Sequence, residues 1–336
     1  MVSRKNKLLL LKIISLFSVI RGYNVAVIAV AQYLAAIFIL APKSIPALSI
    51  ILDFRVFILV LASSLSIASG YIINNFYDSQ KDLINRPNKS MLDRLVSQKT
   101  KLYVYFTVNF FVALISVFLS WRVLLFFSAY IFLIWFYSHK LKKYAIIGNI
   151  TAALLAILPF FAIMIYLFKK EGFQHFEIQH AEIIFAHASF LFLLILIREM
   201  IKDLENIAGD LANNYQTIPV IYGERASKKI ITVLTVLTIF PVYLLIDVYD
   251  VGYMDIYFYV CLIFLILFLI KLWATTGKPG FLRLHNLLKF LIVAGVFCIV
   301  LIEPTVLIHG RERVERKLII DNLLRYAPYS SPFGLG

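Results

Sequence analysis

Nine runs almost free of charge divide this chain: residues 23–41, 56–77, 102–121, 123–137, 144–168, 183–197, 230–246, 256–270 and 287–308. About 20 apolar residues span the hydrocarbon core of a bilayer as a helix. Inside that core each backbone N–H must bond within its own segment, so an open sheet is excluded. Only 15% of the residues are charged and 61% are hydrophobic, whereas a soluble domain carries about 25% charged residues. The expected fold is all-α: a polytopic membrane protein of about nine helices around a central chamber. Runs 123–137 and 183–197 are short for a full span, so their polar ends are expected to continue the helix. Arg122 alone separates two runs and marks a tight hairpin.

The net charge of +14 would point a soluble protein towards nucleic acid. Topology explains it better here, and no nucleic-acid partner is expected. With nine spans, the N-terminal segment and the loops 78–101, 138–143, 198–229 and 271–289 share one side, and they hold 23 of the 33 Lys and Arg residues. The positive-inside rule assigns that side to the cytoplasm. A second basic group, Arg311, Arg313, Arg316, Lys317 and Arg325, falls on the opposite side in this count.

Arg4, Lys5 and Lys7 precede an apolar stretch that Lys12 and Arg21 interrupt. No small-residue cleavage site follows, so this segment reads as a retained interfacial helix rather than a signal peptide. Cys261 and Cys298 fall inside spans and read as core residues. His187, in mid-span, reads as a packed interior histidine.

Two polar stretches stand at the ends of apolar runs. In the first, Asn74, Asp78 and Asp82 recur every four residues; in the second, Asp203, Asn206 and Asp210 are three and four apart. At helical periodicity each set forms one stripe, so two helix ends are expected to face each other across one site. Acidic residues at a helix C-terminus oppose the macrodipole, and carboxylates near a bilayer default to function. Asp78, Asp82, Asp203 and Asp210 supply hard oxygen ligands of the kind Mg²⁺ takes, and Mg²⁺ commonly bridges carboxylates to phosphate oxygens. Arg86, Lys142, Arg198 and Lys202 suit the remaining charge of a diphosphate. The 29 Phe and 19 Tyr offer a hydrocarbon chamber whose ring faces tolerate a transient carbocation.

These residues resemble the UbiA-type intramembrane prenyltransferase superfamily. The first family signature is matched by Asn74-Asn75-x-x-Asp78-x-x-x-Asp82 followed by Asn85-Arg86-Pro87. The second, in the form of the digeranylgeranylglyceryl phosphate synthase-like branch, is matched by Arg198-Glu199-x-x-Lys202-Asp203-x-x-Asn206-x-x-Gly209-Asp210. Lesser matches follow in the family's order: Arg21 with Asn24, Tyr137-Ser138 with Leu141-Lys142 and Gly148-Asn149, Thr217-x-Pro219 with Tyr222-Gly223, and Leu288-Lys289.

The resemblance implies a UbiA-like transmembrane domain over residues 1–310, followed by a basic tail over 311–336. It implies Asn74, Asp78, Asp82, Asp203, Asn206 and Asp210 as the Mg²⁺ set, with Asp78, Asp82, Asp203 and Asp210 catalytic. Arg21, Asn24, Asn74, Arg86, Tyr137, Lys142, Arg198 and Lys202 are then the diphosphate-binding set. The partners implied are a prenyl diphosphate, a lipophilic acceptor and membrane lipid, in a multi-pass cell-membrane protein whose site faces the cytoplasm. Two departures stand out. Asn75 and Asn206 occupy positions where the family usually has Asp, so the site is expected to lack two negative charges and to hold Mg²⁺ more weakly.

The activity implied is prenyl transfer to a glycerol-phosphate lipid. The alternatives are an aromatic quinone precursor as acceptor, or a weakened paralogue that binds prenyl diphosphates without turning them over. A transporter would instead carry its charges at mid-span.

Overall fold

A computed structural model describes residues 4–40, 46–167 and 178–304. Within them, nine helices are long and apolar enough to cross a membrane: Gly22–Leu40, Phe54–Asn85, Gln98–Leu119, Trp121–Lys143, Ile147–Tyr166, Glu182–Glu205, Ile218–Val248, Gly252–Ala274 and Gly277–Ile302. They are numbered spans 1 to 9 below. The polar ends of spans 2, 4 and 6 do continue their helices, as the short apolar runs required. The basic tail 311–336 lies outside the described residues, as does most of the loop between spans 5 and 6.

Local sequence places the breaks. Ser120 is extended, and its hydroxyl accepts from the Val123 N–H at 3.2 Å, so the hairpin beside Arg122 is a helix cap with no loop. Asp53 and Ser97 cap spans 2 and 3 in the same way. At Gly223 the backbone turns to φ 81°, which divides span 7 into a short leading turn and the apolar helix proper. Arg4–Val19 forms a separate helix with Leu10, Ile13, Ile14 and Phe17 exposed. Its Ser18 hydroxyl donates to Asp93 at 2.8 Å. An apolar face left open beside an apolar bundle suits a helix lying in the membrane interface.

The spans close into a ring. Span 2 packs on spans 1, 3 and 4, span 6 packs on spans 5, 7 and 9, and span 9 returns to span 1. Small residues let span 2 approach its neighbours. A Cβ on Gly70 would stand 2.9 Å from an Ile134 methyl, and the Ser69 hydroxyl donates to Asn109 at 2.7 Å. Outward-facing Phe106, Phe110, Phe118, Ile266 and Phe290 are exposed, as expected of a surface wetted by lipid.

Pro159, inside span 5, cannot donate to the carbonyl of Leu155. The Tyr130 hydroxyl donates to that carbonyl instead, at 3.1 Å, so this acceptor is not left stranded in the membrane. The Pro159 carbonyl in turn accepts from the fully buried Gln32 amide at 2.7 Å. Leu155, Pro159 and Tyr130 all face one cavity.

Candidate active site

That cavity, about 230 Å³, lies between the polar ends of spans 2, 4 and 6 and the start of span 5. Asn74, Asp78 and Asp82 line one wall; Arg198, Glu199, Lys202, Asp203 and Asn206 line the other. The two stripes therefore meet across one chamber. Its floor is apolar, formed by Ile28, Ile67, Ala156 and Ile195 among others. Tyr71, Tyr130 and Tyr137 line the sides.

On span 2, Asp78 meets built partners. Asp78 Oδ1 lies 2.7 Å from Lys142 Nζ and accepts from the Tyr215 hydroxyl at 3.0 Å. Lys142 also donates to Asn74 Oδ1 at 3.2 Å, so this one ammonium spans two positions of the stripe. Burial, and then the Asp78 carboxylate, push the Tyr215 hydroxyl well above its ordinary pKa, which keeps it a donor. Lys81 reaches away from the stripe to Asp210, 2.6 Å from Oδ1, and lies over the Tyr215 ring at 4.3 Å. Across the chamber Asp203 Oδ2 accepts from the Asn149 amide at 2.7 Å. Arg198 and Lys202 both pair with Glu199, at 3.5 and 2.6 Å.

The second stripe departs from a single helix. Span 6 ends at Glu205, Asn206 has non-helical φ and ψ, and a separate short helix runs over Ile207–Ala212. Gly209 at this break lies against the Asn85 side chain, whose oxygen accepts from the Gly209 N–H at 3.1 Å. No side chain fits between them, so the break docks the second motif on the end of span 2.

As a consequence Asp210 does not line the chamber. It is fully buried, holds Lys81, and accepts from the Thr217 hydroxyl at 3.1 Å. Burial pushes its carboxyl above the usual carboxylate range despite the adjacent ammonium. Its place is behind the wall, where it positions Lys81; of the four carboxylates expected in the Mg²⁺ and catalytic sets, Asp78, Asp82 and Asp203 line the cavity and Asp210 does not.

Asn75 is likewise turned away. Its amide donates to Asp93 at 3.0 Å, and it is absent from the chamber lining. The expected deficit of two charges at the site is therefore a deficit of one, at Asn206. Asn24 donates to the Tyr71 hydroxyl at 3.3 Å and faces a neighbouring cavity, which Arg21 shares with the chamber. Arg86 and Tyr137 line the chamber as expected.

Residues 26–304 match the model of the UbiA prenyltransferase family. The chain belongs to that family. It is similar to the digeranylgeranylglyceryl phosphate synthase of Pyrococcus horikoshii, 31% identical over 192 residues, which is 56% of this chain and 65%, just under two thirds, of the relative. The corresponding Methanobrevibacter smithii protein is 26% identical over 74% of this chain and 83% of its own length.

Among solved structures, one concerning digeranylgeranylglyceryl phosphate synthase in membranes superposes with a TM-score of 0.63 at 20% identity, covering 87% of this chain and 98% of that one. A UbiA homologue from Archaeoglobus fulgidus bound to DMAPP and Mg²⁺ gives 0.59 at 14% identity, over 85% and 99%. At these identities the likeness is one of fold. The all-α architecture of nine spans among the described residues is the fold of these solved UbiA homologues.

Several site residues of this prenyltransferase escaped the motif reading. Glu205 is buried and joins Arg86 at 3.0 Å to His285 at 3.0 Å. This ties the motifs of spans 2 and 6 to span 9. Lys278 of span 9 also donates to the Asn85 carbonyl. Replacing Glu205 by glutamine leaves Arg86 without its counter-charge, and removal of one partner of a buried pair costs on the order of 3 kcal/mol. Thermal unfolding in detergent should report that loss; an unchanged midpoint would show the triad to be idle.

The donors fit a hard divalent cation. Asn74, Asp78, Asp82, Asp203 and Asn206 all present oxygen, and the buried Asn206 Oδ1 has no hydrogen-bond partner. Among the described residues no three carboxylate, histidine or cysteine groups converge on one point. An ion held there would need further oxygen ligands, of the kind a diphosphate supplies.

Proposed function

We propose that this prenyltransferase moves a prenyl group from an allylic diphosphate to the hydroxyl of a glycerol-phosphate lipid. The observation that carries the reading is the chamber itself: facing oxygen donors ringed by Lys and Arg above an apolar, tyrosine-sided floor. In the reaction the allylic C–O bond breaks and diphosphate leaves with the electron pair. The acceptor oxygen then bonds to the allylic carbon and loses its proton. Asp78, Asp82, Asp203 and the amide oxygens of Asn74 and Asn206 would hold Mg²⁺, which would supply charge neutralisation to the leaving diphosphate. Lys142, Arg86, Arg198 and Lys202 hold the phosphate oxygens, and Lys81 is kept in place by Asp210. Tyr71, Tyr130 and Tyr137 line the chamber, and aromatic rings there would stabilise a developing allylic cation.

A separate cavity offers further room for a hydrocarbon. Farther along spans 1, 5 and 6, Ala35, Ile39, Phe160, Leu191 and Leu194 line a second, almost wholly apolar cavity of about 100 Å³. The glycerol-phosphate acceptor is favoured by the second signature and by the curated relatives, which carry that name. The basic loops put the chamber on the cytoplasmic side.

The test incubates the purified protein with labelled geranylgeranyl diphosphate, Mg²⁺ and a panel of acceptors. A labelled product from geranylgeranylglyceryl phosphate, lost on chelation of Mg²⁺, is expected. Product from aromatic acceptors only would replace the acceptor class. Tight donor binding without any product would make the chain a binding paralogue.

A further inference from the structure

A second charged cavity, about 650 Å³ and open to the outside, adjoins the chamber. It lies where the interfacial helix and the start of span 1 meet the ends of spans 2 and 6 and the start of span 9. Arg21, Arg86, Lys89, Arg198, Lys202 and Lys289 line it, and no carboxylate does. Four of these cations are paired from behind, through Glu205, Asp93 and Glu199. Arg21 and Lys289 pair with no carboxylate among the described residues; each rests on a ring, Arg21 on Tyr71 at 5.0 Å and Lys289 on Tyr23 at 4.7 Å.

Arg21 is held at φ 51° between the interfacial helix and span 1, a left-handed conformation that costs an arginine energy. The Arg198 Nε is buried with no partner. The rim carries exposed Ile14, Phe17 and Leu282.

We propose that this cavity binds the phosphate of the acceptor lipid, with Arg21 and Lys289 as its principal ligands. The proposal rests on the glycerol-phosphate reading given above. Six cations without a lining carboxylate suit an anion that brings no metal, whereas the Mg²⁺–diphosphate needs the oxygens found only in the chamber. The apolar rim at the membrane interface accepts the acceptor's hydrocarbon as its phosphate enters. Arg21, Arg86, Arg198 and Lys202 line both cavities, so a phosphate seated here places the glycerol hydroxyl at the chamber wall. Lys142 then serves the diphosphate alone and Lys289 the acceptor phosphate alone, with the four shared cations between them. Lys289, in the Leu288-Lys289 match of the sequence, gains a role that the diphosphate site did not give it.

The full chain in phosphatidylcholine nanodiscs is assayed with geranylgeranylglyceryl phosphate and with its dephosphorylated alcohol. Lys289→Gln should raise the acceptor KM about tenfold or more, the loss of one charge-assisted contact, with the donor KM unchanged within twofold. Lys289→Arg should restore most of the affinity. With the alcohol, wild type should show the same raised KM, and Lys289→Gln should add nothing.

An acceptor KM unmoved by Lys289→Gln, an equal rise in donor KM, or a penalty that persists with the alcohol would each overturn the proposal. An effect seen only when anionic lipid is added would assign the cavity to bulk headgroups and overturn it too. A wild type that prenylates neither acceptor would overturn the functional reading, and this site with it.

Discussion

Asp78→Asn lowers the rate of prenyl transfer by on the order of 10²–10³-fold, the scale seen when one preorganised electrostatic group at a reacting centre is removed. Asp78 is the carboxylate of the first stripe with most partners: Lys142 at 2.7 Å and Tyr215 at 3.0 Å. Asparagine keeps its shape and one oxygen but removes the charge that both Mg²⁺ and the Lys142 ammonium answer. The buried lysine, 5% exposed, then loses its counter-charge, a cost of a few kcal/mol in the free protein. Bound diphosphate offsets part of that cost, so unfolding midpoints should fall more without donor than with it. Tyr215→Phe separates the parts, since it removes one hydrogen bond worth about 1 kcal/mol and no charge. A rate for Asp78→Asn within tenfold of wild type, in folded protein, would remove Asp78 from the reaction.

The two family asparagines should respond in opposite ways to restoration of aspartate. Asn206→Asp adds a negative charge to the chamber, at a buried oxygen with no present partner. Because carboxylate count sets divalent-cation affinity, the Mg²⁺ concentration for half-maximal rate should fall roughly tenfold. Asn75→Asp instead sets a second carboxylate where the Asn75 amide now donates to Asp93 at 3.0 Å. Like charges so close cost several kcal/mol, so this variant should unfold at lower temperature with its Mg²⁺ midpoint unchanged. A Mg²⁺ titration and a thermal melt of each variant decide the matter. Equal shifts in Mg²⁺ dependence would contradict the placement of Asn75; a dead Asn206→Asp enzyme would show its neutral amide to be required.

The spans were legible because lipid permits few solutions. An apolar run between polar loops has to be a helix, and nine runs gave nine spans. Their ends were not, since counting stops at the first charge while the helix does not. Span 2 runs on past Asp78 and Lys81 to Asn85 because Lys142 and Asp210 pair with those two charges and offset their burial. The first stripe was legible for the same reason: its periodicity is that of one unbroken helix.

The second was misread from Asn206 onward, where the helix breaks, Gly209 docks on Asn85 and periodicity ceases to report direction. Tyr215 and His285 reach the site through tertiary contact alone, from a loop and from another span. Asn149 was visible in its motif, though only the fold gives it Asp203 as a partner.

The central claim is that one Mg²⁺–diphosphate site is shared by two helix ends distant in sequence. Equilibrium binding of geranylgeranyl thiodiphosphate, an unreactive donor analogue, tests it most directly, with and without Mg²⁺, for wild type, Asp78→Asn and Asp203→Asn. The account predicts saturable, Mg²⁺-dependent binding that either substitution weakens strongly, with the Mg²⁺ requirement raised in both. Unchanged affinity and Mg²⁺ requirement in one of the two variants, while the other fails, would contradict a shared site.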